Sequence, residues 1–222
     1  MRDVWKRIEA AMRAMALDRF LPLPAGAPAD TIAAVEERLG FRLPTEVRES
    51  YAVHDGTGGA HGDGADILPH AAFGLIGVPM LSLDEALQTW EMWMGWRDGG
   101  SFDDSRARPQ GPVRAEWWSP RWFPVTWDGG GDHLCIDMDP APGGVVGQVI
   151  YVGHEVGPMG VVVTSWRAFL EGFASDLEAG HLRFNEHGEL DAVQSDEPST
   201  APDSGIVTGF WDFEMFWRGL VR

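Results

Sequence analysis

Between residues 54 and 70 the chain reads HDGTGGAHGDGADILPH, bringing together His54, Asp55, His61, Asp63, Asp66 and His70. Imidazole and carboxylate are ligand types for zinc or another divalent cation. The spacing matches no established ligand motif, and a Gly-rich loop of this kind is more often an exposed turn whose side chains bond nearby backbone. A second group, His133, Cys135, Asp137 and Asp139, alternates along a short apolar segment, so the four share one face of a strand by parity. Its carboxylates have the chemistry for acid–base work, and Cys135 beside His133 has the residue types of a nucleophile and its base. A capped hairpin edge accounts for the carboxylates more simply, and small buried cysteines are common. There is no GxGxxG between a strand and a helix, no phosphate-binding loop, no HExxH and no paired CxxC. The sequence therefore assigns no catalytic residue, no metal and no cofactor, and it predicts a binding protein rather than an enzyme. A metal-dependent enzyme built on His54 to His70 is the alternative.

The elements that must position these groups are short. Val4, Ile8, Met12 and Met15 recur at helical spacing and predict a helix from Asp3 to Met15. Asp30 can cap a second helix that buries Ile32, Val35 and Leu39 and stops at Gly40, and Pro44 opens a third that buries Val47 and Tyr51. Ser82 and Glu85 form a capping-box pair ahead of a fourth helix, Leu83 to about Met94, with Leu83, Leu87, Trp90 and Met94 on one face. Trp166, Phe169, Leu170, Phe173 and Leu177 mark a fifth, ending near Gly180. Strands are expected at Ile67 to Ile76, Trp122 to Trp127, His133 to Met138, Gln148 to Val152 and Gly160 to Thr164. Asp128 to Asp132, with three consecutive glycines, reads as a hairpin turn in which Asp132 bonds back to the backbone. Short Gly and Asp turns favour antiparallel pairing, so the fold class is α+β, with a mainly antiparallel sheet flanked by helices.

The chain has 222 residues with 44% hydrophobic content, enough for one substantial core. Residues 1–185 are expected to form the domain, 186–209 an acidic Pro/Ser-rich linker, and 210–222 an aromatic segment docked on the domain. Eleven Trp and 11 Phe stand against two Tyr, a load that fills cores and leaves some rings for an interface. Cys135 is the single cysteine, and the charged N-terminus has no signal-peptide or membrane-span pattern, so a cytoplasmic protein is expected. The net charge of −17 lies wholly beyond residue 50, because residues 1–50 hold eight acidic and eight basic side chains. Such a field repels nucleic-acid phosphate and anionic lipid and attracts a basic protein.

The run WFPVTWDGGGDHLCIDMDP followed by GQVI, with EERLGFRLPTEVRESYAVHDG upstream, resembles the SUKH superfamily. That family comprises fungal cell-wall-synthesis regulators and bacterial toxin-immunity proteins, and the resemblance covers roughly residues 30 to 180. It implies a single SUKH-like domain that is not an enzyme. Combined with the Arg-over-Lys, Ala/Gly-rich usage of the chain, it predicts a bacterial immunity protein that neutralises a cognate polymorphic toxin by occlusion, a basic nuclease being the class that carboxylates would suit. A regulatory scaffold of the cell-wall-synthesis type is the other reading. Asp98, Asp103 and Asp104 after the fourth helix, with Asp128 and Asp132 in the Gly turn, are the expected partner contacts. No nucleic-acid or membrane partner is expected, and the oligomeric state is left open.

Overall fold

Apolar residues at helical spacing near the N-terminus form α1 (Arg2–Ala14), which buries Val4, Trp5, Ile8 and Met12. The computed structural model describes residues 1–17, 20–58, 66–71, 75–185 and 189–193. His61, Asp63 and the expected aromatic segment at 210–222 lie outside the described residues, as does most of the expected linker. Next come α2 (Ala29–Leu39), closed by Gly40 at φ 74°, and α3 (Thr45–Tyr51). Pro44 is the N-cap of α3, one position earlier than its expected place as the first helical residue.

The β-rich segment expected from Ile67 to Ile76 holds two strands, β1 (Leu68–Ala71) and β2 (Leu75–Val78), paired antiparallel. α4 (Leu83–Asp98) starts with the full Ser82–Glu85 capping box and runs a turn beyond Met94. Four antiparallel strands follow as one sheet in chain order: β3 (Trp122–Pro124), β4 (His133–Asp137), β5 (Gln148–Gly153) and β6 (Gly157–Val163). α5 (Trp166–Ala179) carries its expected stripe, with Trp166, Phe169, Leu170, Phe173 and Leu177 all buried. A last small hairpin pairs β7 (Leu182–Phe184) with β8 (Leu190–Ala192). The result is a mixed α+β fold.

The sheet is covered on both faces, because successive strand side chains point to opposite sides. Phe123, Leu134, Ile136, Val149 and Tyr151 pack with Trp5, Ile8, Trp166 and Phe173 from α1 and α5 in the main core. Trp122, Cys135, Ile150 and Val152 face a second core with Trp93, Val113 and Trp118. This corrects the reading of Asp137 as a carboxylate at a hairpin edge, since all five residues of β4 are buried in the middle of the sheet; Cys135 is buried there, as a small cysteine was expected to be. The main core has a polar pin. Ser50 Oγ accepts the indole N–H groups of Trp5 at 2.9 Å and Trp166 at 3.0 Å, tying α1, α3 and α5 together.

The two sequence motifs become contacts. Asp55 Oδ1 accepts the Leu83 amide at 2.8 Å, so the His-Asp-Gly segment holds the first turn of α4. Thr57 and Met80 exchange two hydrogen bonds, Thr57 N to the Met80 carbonyl at 3.0 Å and Met80 N to Thr57 Oγ1 at 2.9 Å. Gly56 lies between them at φ 82°, where a Cβ would sit 2.8 Å from Ser82 N. In the second motif, Gln148 Nε2 donates to Asp137 Oδ2 at 2.9 Å, which joins the Gly-Gln-Val-Ile strand to its neighbour.

Candidate functional site

α4 is apolar around most of its circumference after its first turn, with Trp90, Met92, Trp93, Met94 and Trp96 in close succession. A helix of that composition buries more than one side. Trp93 stacks on Trp118 at a centroid distance of 4.7 Å and an interplanar angle of 9°. Trp90 Nε1 donates to the Pro120 carbonyl at 3.2 Å, fixing the helix beside β3. Met92 and Trp96 stay exposed, at 43% and 39%. Trp96 stands edge-on to Trp93 with centroids 5.1 Å apart, so an exposed ring rests on a packed stack. Asp98, Asp103 and Asp104 are exposed around the end of α4, interspersed with exposed Arg97, Arg106 and Arg108. An aromatic and a Met at the centre with mixed charges around them is the composition of a protein-binding patch.

The expected contact residues divide into two groups. Asp98, Asp103 and Asp104 are exposed at and just beyond the C-terminal end of α4, the helix that carries Trp96. Asp128 and Asp132 sit in the turn between β3 and β4 and have internal duties there. Asp128 Oδ1, rather than Asp132, bonds back to the turn, accepting the amides of Gly130 and Asp132 at 2.8 Å each. Gly129 and Gly131 take φ of 83° and 103°, which is why glycine occupies them. Asp132 Oδ1 accepts the His154 amide at 2.7 Å, and its Oδ2 accepts the Tyr151 hydroxyl. The link between the two groups is His154, whose exposed ring lies 6.5 Å from that of Trp96.

The residues with catalytic types are committed to structure. His133 is fully buried, its Nδ1 2.8 Å from the Thr126 carbonyl and its Nε2 accepting from Trp93 Nε1 at 3.0 Å. That pattern requires the neutral tautomer with the proton on Nδ1. Burial accordingly pushes its pKa down to about 4. With both nitrogens occupied, it has no free lone pair to serve as base for Cys135, whose thiol burial pushes well up. Asp137, raised by burial, accepts from Gln148 and from the Asp139 amide, and Asp139 pairs with Arg114 at 2.8 Å. Those two carboxylates do not face each other as an acid and a base.

The His54 to His70 group also separates. His54 places Nδ1 2.7 Å from the Pro24 carbonyl and Nε2 3.1 Å from Glu9, so it joins α1 to the loop before α2. Asp55 holds α4, as described above. His70, on β1, is fully buried and lies with Asp128 and Asp132, a set the sequence could not join because 58 and 62 positions separate them. The second core and the exposed Trp96 were equally hidden. The one available signal was that Trp93 and Trp96 fall off the single apolar stripe expected for α4, which implies a partner surface on another side.

A sequence profile of the SMI1 / KNR4 family (SUKH-1) matches residues 26–172. Relatives include the cell wall biosynthesis/cell cycle regulator smi1 of Schizosaccharomyces pombe, 30% identical over 197 residues that cover 83% of this chain and 37% of that protein. The cell wall assembly regulator SMI1 of Saccharomyces cerevisiae is 25% identical, with 77% of this chain and 40% of that protein covered. The glucan synthesis regulatory protein of Neurospora crassa is 24% identical, with 82% and 39% covered. The chain thus spans about two fifths of the length of the curated relatives it matches. These relatives overturn the expectation of a bacterial immunity protein with a cognate toxin, because they are fungal and are named as regulators of wall assembly and glucan synthesis. Acidic charge and spare aromatics suit any protein-binding face, so composition had no power to choose the partner. The profile match extends over well more than half of the sequence, and both motifs that carry it are bonded into the fold: the chain belongs to the SMI1/KNR4 family (SUKH-1).

Proposed function

We propose that this chain is the binding module of a cell-wall-assembly regulator and works as a non-catalytic scaffold in the cytoplasm. The observation that carries this reading is the exposed pair Met92 and Trp96 on a helix braced from beneath by the Trp93–Trp118 stack. A rigid aromatic anchor loses little conformational entropy on binding, which is how a small patch supplies most of an interface's energy. Asp98, Asp103 and Asp104 form its polar rim and orient a partner segment whose apolar side chain covers Trp96. The folded module reaches through β8 (Leu190–Ala192), whose Leu190 is buried in the main core. Among the described residues no helix is long and apolar enough to cross a membrane. The buried bonds of His133 and Asp137, the part-buried bond of His54 and the burial of Cys135 support the absence of chemistry at those positions.

The test is a segment exchange. The matching region of the Schizosaccharomyces pombe relative is replaced by this chain, and growth under wall stress is scored. A chimera that restores growth supports the module reading, and a stably expressed chimera that fails to restore it contradicts the reading.

A further inference from the structure

His70 is 0% exposed, and neither ring nitrogen has a hydrogen-bond partner among the described residues. An imidazole left this way forfeits the hydrogen bonds it made to water, so a fold retains it only with some return. One nitrogen of His70 and one oxygen each of Asp128 and Asp132 lie within 4.8 Å of one another. The imidazole therefore comes close to both carboxylates without bonding to either. Donors held around one zinc-sized ion at its usual bond lengths are separated by about 3 to 4.4 Å, so a slight contraction of this triangle would close it on a cation.

We propose that His70, Asp128 and Asp132 form a binding site for one divalent transition-metal ion of the zinc or manganese class. The ligand set argues for that class. Two carboxylates neutralise a 2+ charge, and an imidazole nitrogen favours zinc or manganese over calcium and magnesium, which prefer oxygen donors. Water completes the coordination. The supporting shell is already built. Gly130 and Asp132 amides hold Asp128 through Oδ1, while the His154 amide and the Tyr151 hydroxyl hold Asp132. Groups that orient carboxylate ligands in this way are what preserve affinity at a metal centre. The ion would tie the β1–β2 hairpin to the β3–β4 turn, two parts of the chain otherwise joined by the Met80–Thr126 bridge and the Leu81 N to Val125 carbonyl bond at 2.9 Å.

The experiment uses the full chain stripped with chelator and titrated with zinc, manganese, calcium and magnesium chlorides. The expected result is one equivalent of zinc or manganese per chain and a melting temperature several degrees higher when saturated, with no such response to calcium or magnesium. Asp128→Asn keeps the oxygen that accepts the two turn amides and removes the charge, so it should fold, bind zinc at least about tenfold more weakly and lose the thermal response. Zinc-edge X-ray absorption on the unaltered chain supplies a test that needs no variant, with one imidazole and otherwise oxygen neighbours expected. Absence of stoichiometric binding, unchanged affinity in Asp128→Asn, or a shell with thiolate or two imidazoles would each overturn the assignment, the first leaving only water in the triangle.

Discussion

The indole N–H of Trp93 donates to Nε2 of His133 across 3.0 Å, joining α4 to an inner strand of the sheet inside a core that the sequence does not announce. This bond explains why a histidine is tolerated in the interior: its acceptor nitrogen is filled from the helix and its other nitrogen faces the Thr126 carbonyl. It also sets the orientation of the stack on which Trp96 rests.

The His133 bond makes stability depend on acidity. Burial lowers the pKa from 6.5 to about 4, with the charges of Asp128, Asp132 and His70 also acting on the ring. Between those values the unfolded chain binds a proton that the folded chain refuses. The contribution is therefore whole above pH 6.5 and lost as pH falls toward 4, about 3 kcal/mol in all. Urea denaturation of the chelator-treated chain between pH 7 and 4.5 should show this fall, and His133→Gln should flatten it. Equal slopes in the two proteins would refute the assignment.

Ser50 holds two indoles with one oxygen. In Ser50→Ala both the Trp5 and Trp166 N–H groups lose their acceptor in the main core, at about 1–3 kcal/mol for each donor left unsatisfied. The double change Ser50→Ala with Trp166→Phe removes one orphan and should cost less than the sum of the single changes. Denaturant midpoints measure this directly, and strict additivity would count against the shared acceptor.

Gly56→Ala should destabilise by about 1–3 kcal/mol, since φ 82° is costly for a residue with Cβ and the added carbon would meet backbone at Ser82 and Met80. Gly40, at φ 74° with open space around its Cβ position, is the control. Its alanine variant bears only the dihedral cost, so a larger loss at Gly40 than at Gly56 would contradict the close-packing argument.

Much of the fold was legible because its signals are local. The capping box at Ser82, the αL glycines at 40 and 180 and the α5 stripe follow from neighbours in sequence, and each stands where expected. The His-Asp-Gly and Gly-Gln-Val-Ile motifs were legible as patterns, though not as the bonds Asp55 to Leu83 and Gln148 to Asp137. What failed was long-range. Period-two alternation in β4 has the same appearance whether the second face meets water or a tryptophan stack, so Asp137 was misread as an edge carboxylate. The strands β1 and β2 were not told apart because their residues read as one β-rich stretch in the sequence. The candidate face depends on where Trp93 and Trp96 end up relative to Trp118 and His154, and no sequence spacing encodes that.

The central claim is that function lies in the face around Trp96. In the segment-exchange chimera, Trp96→Ala combined with Met92→Ser alters two exposed side chains, so the melting temperature should move by no more than a few degrees. The account predicts that this variant, expressed at the parental level, loses most of the growth restored under wall stress. Restoration equal to that of the parent would contradict it.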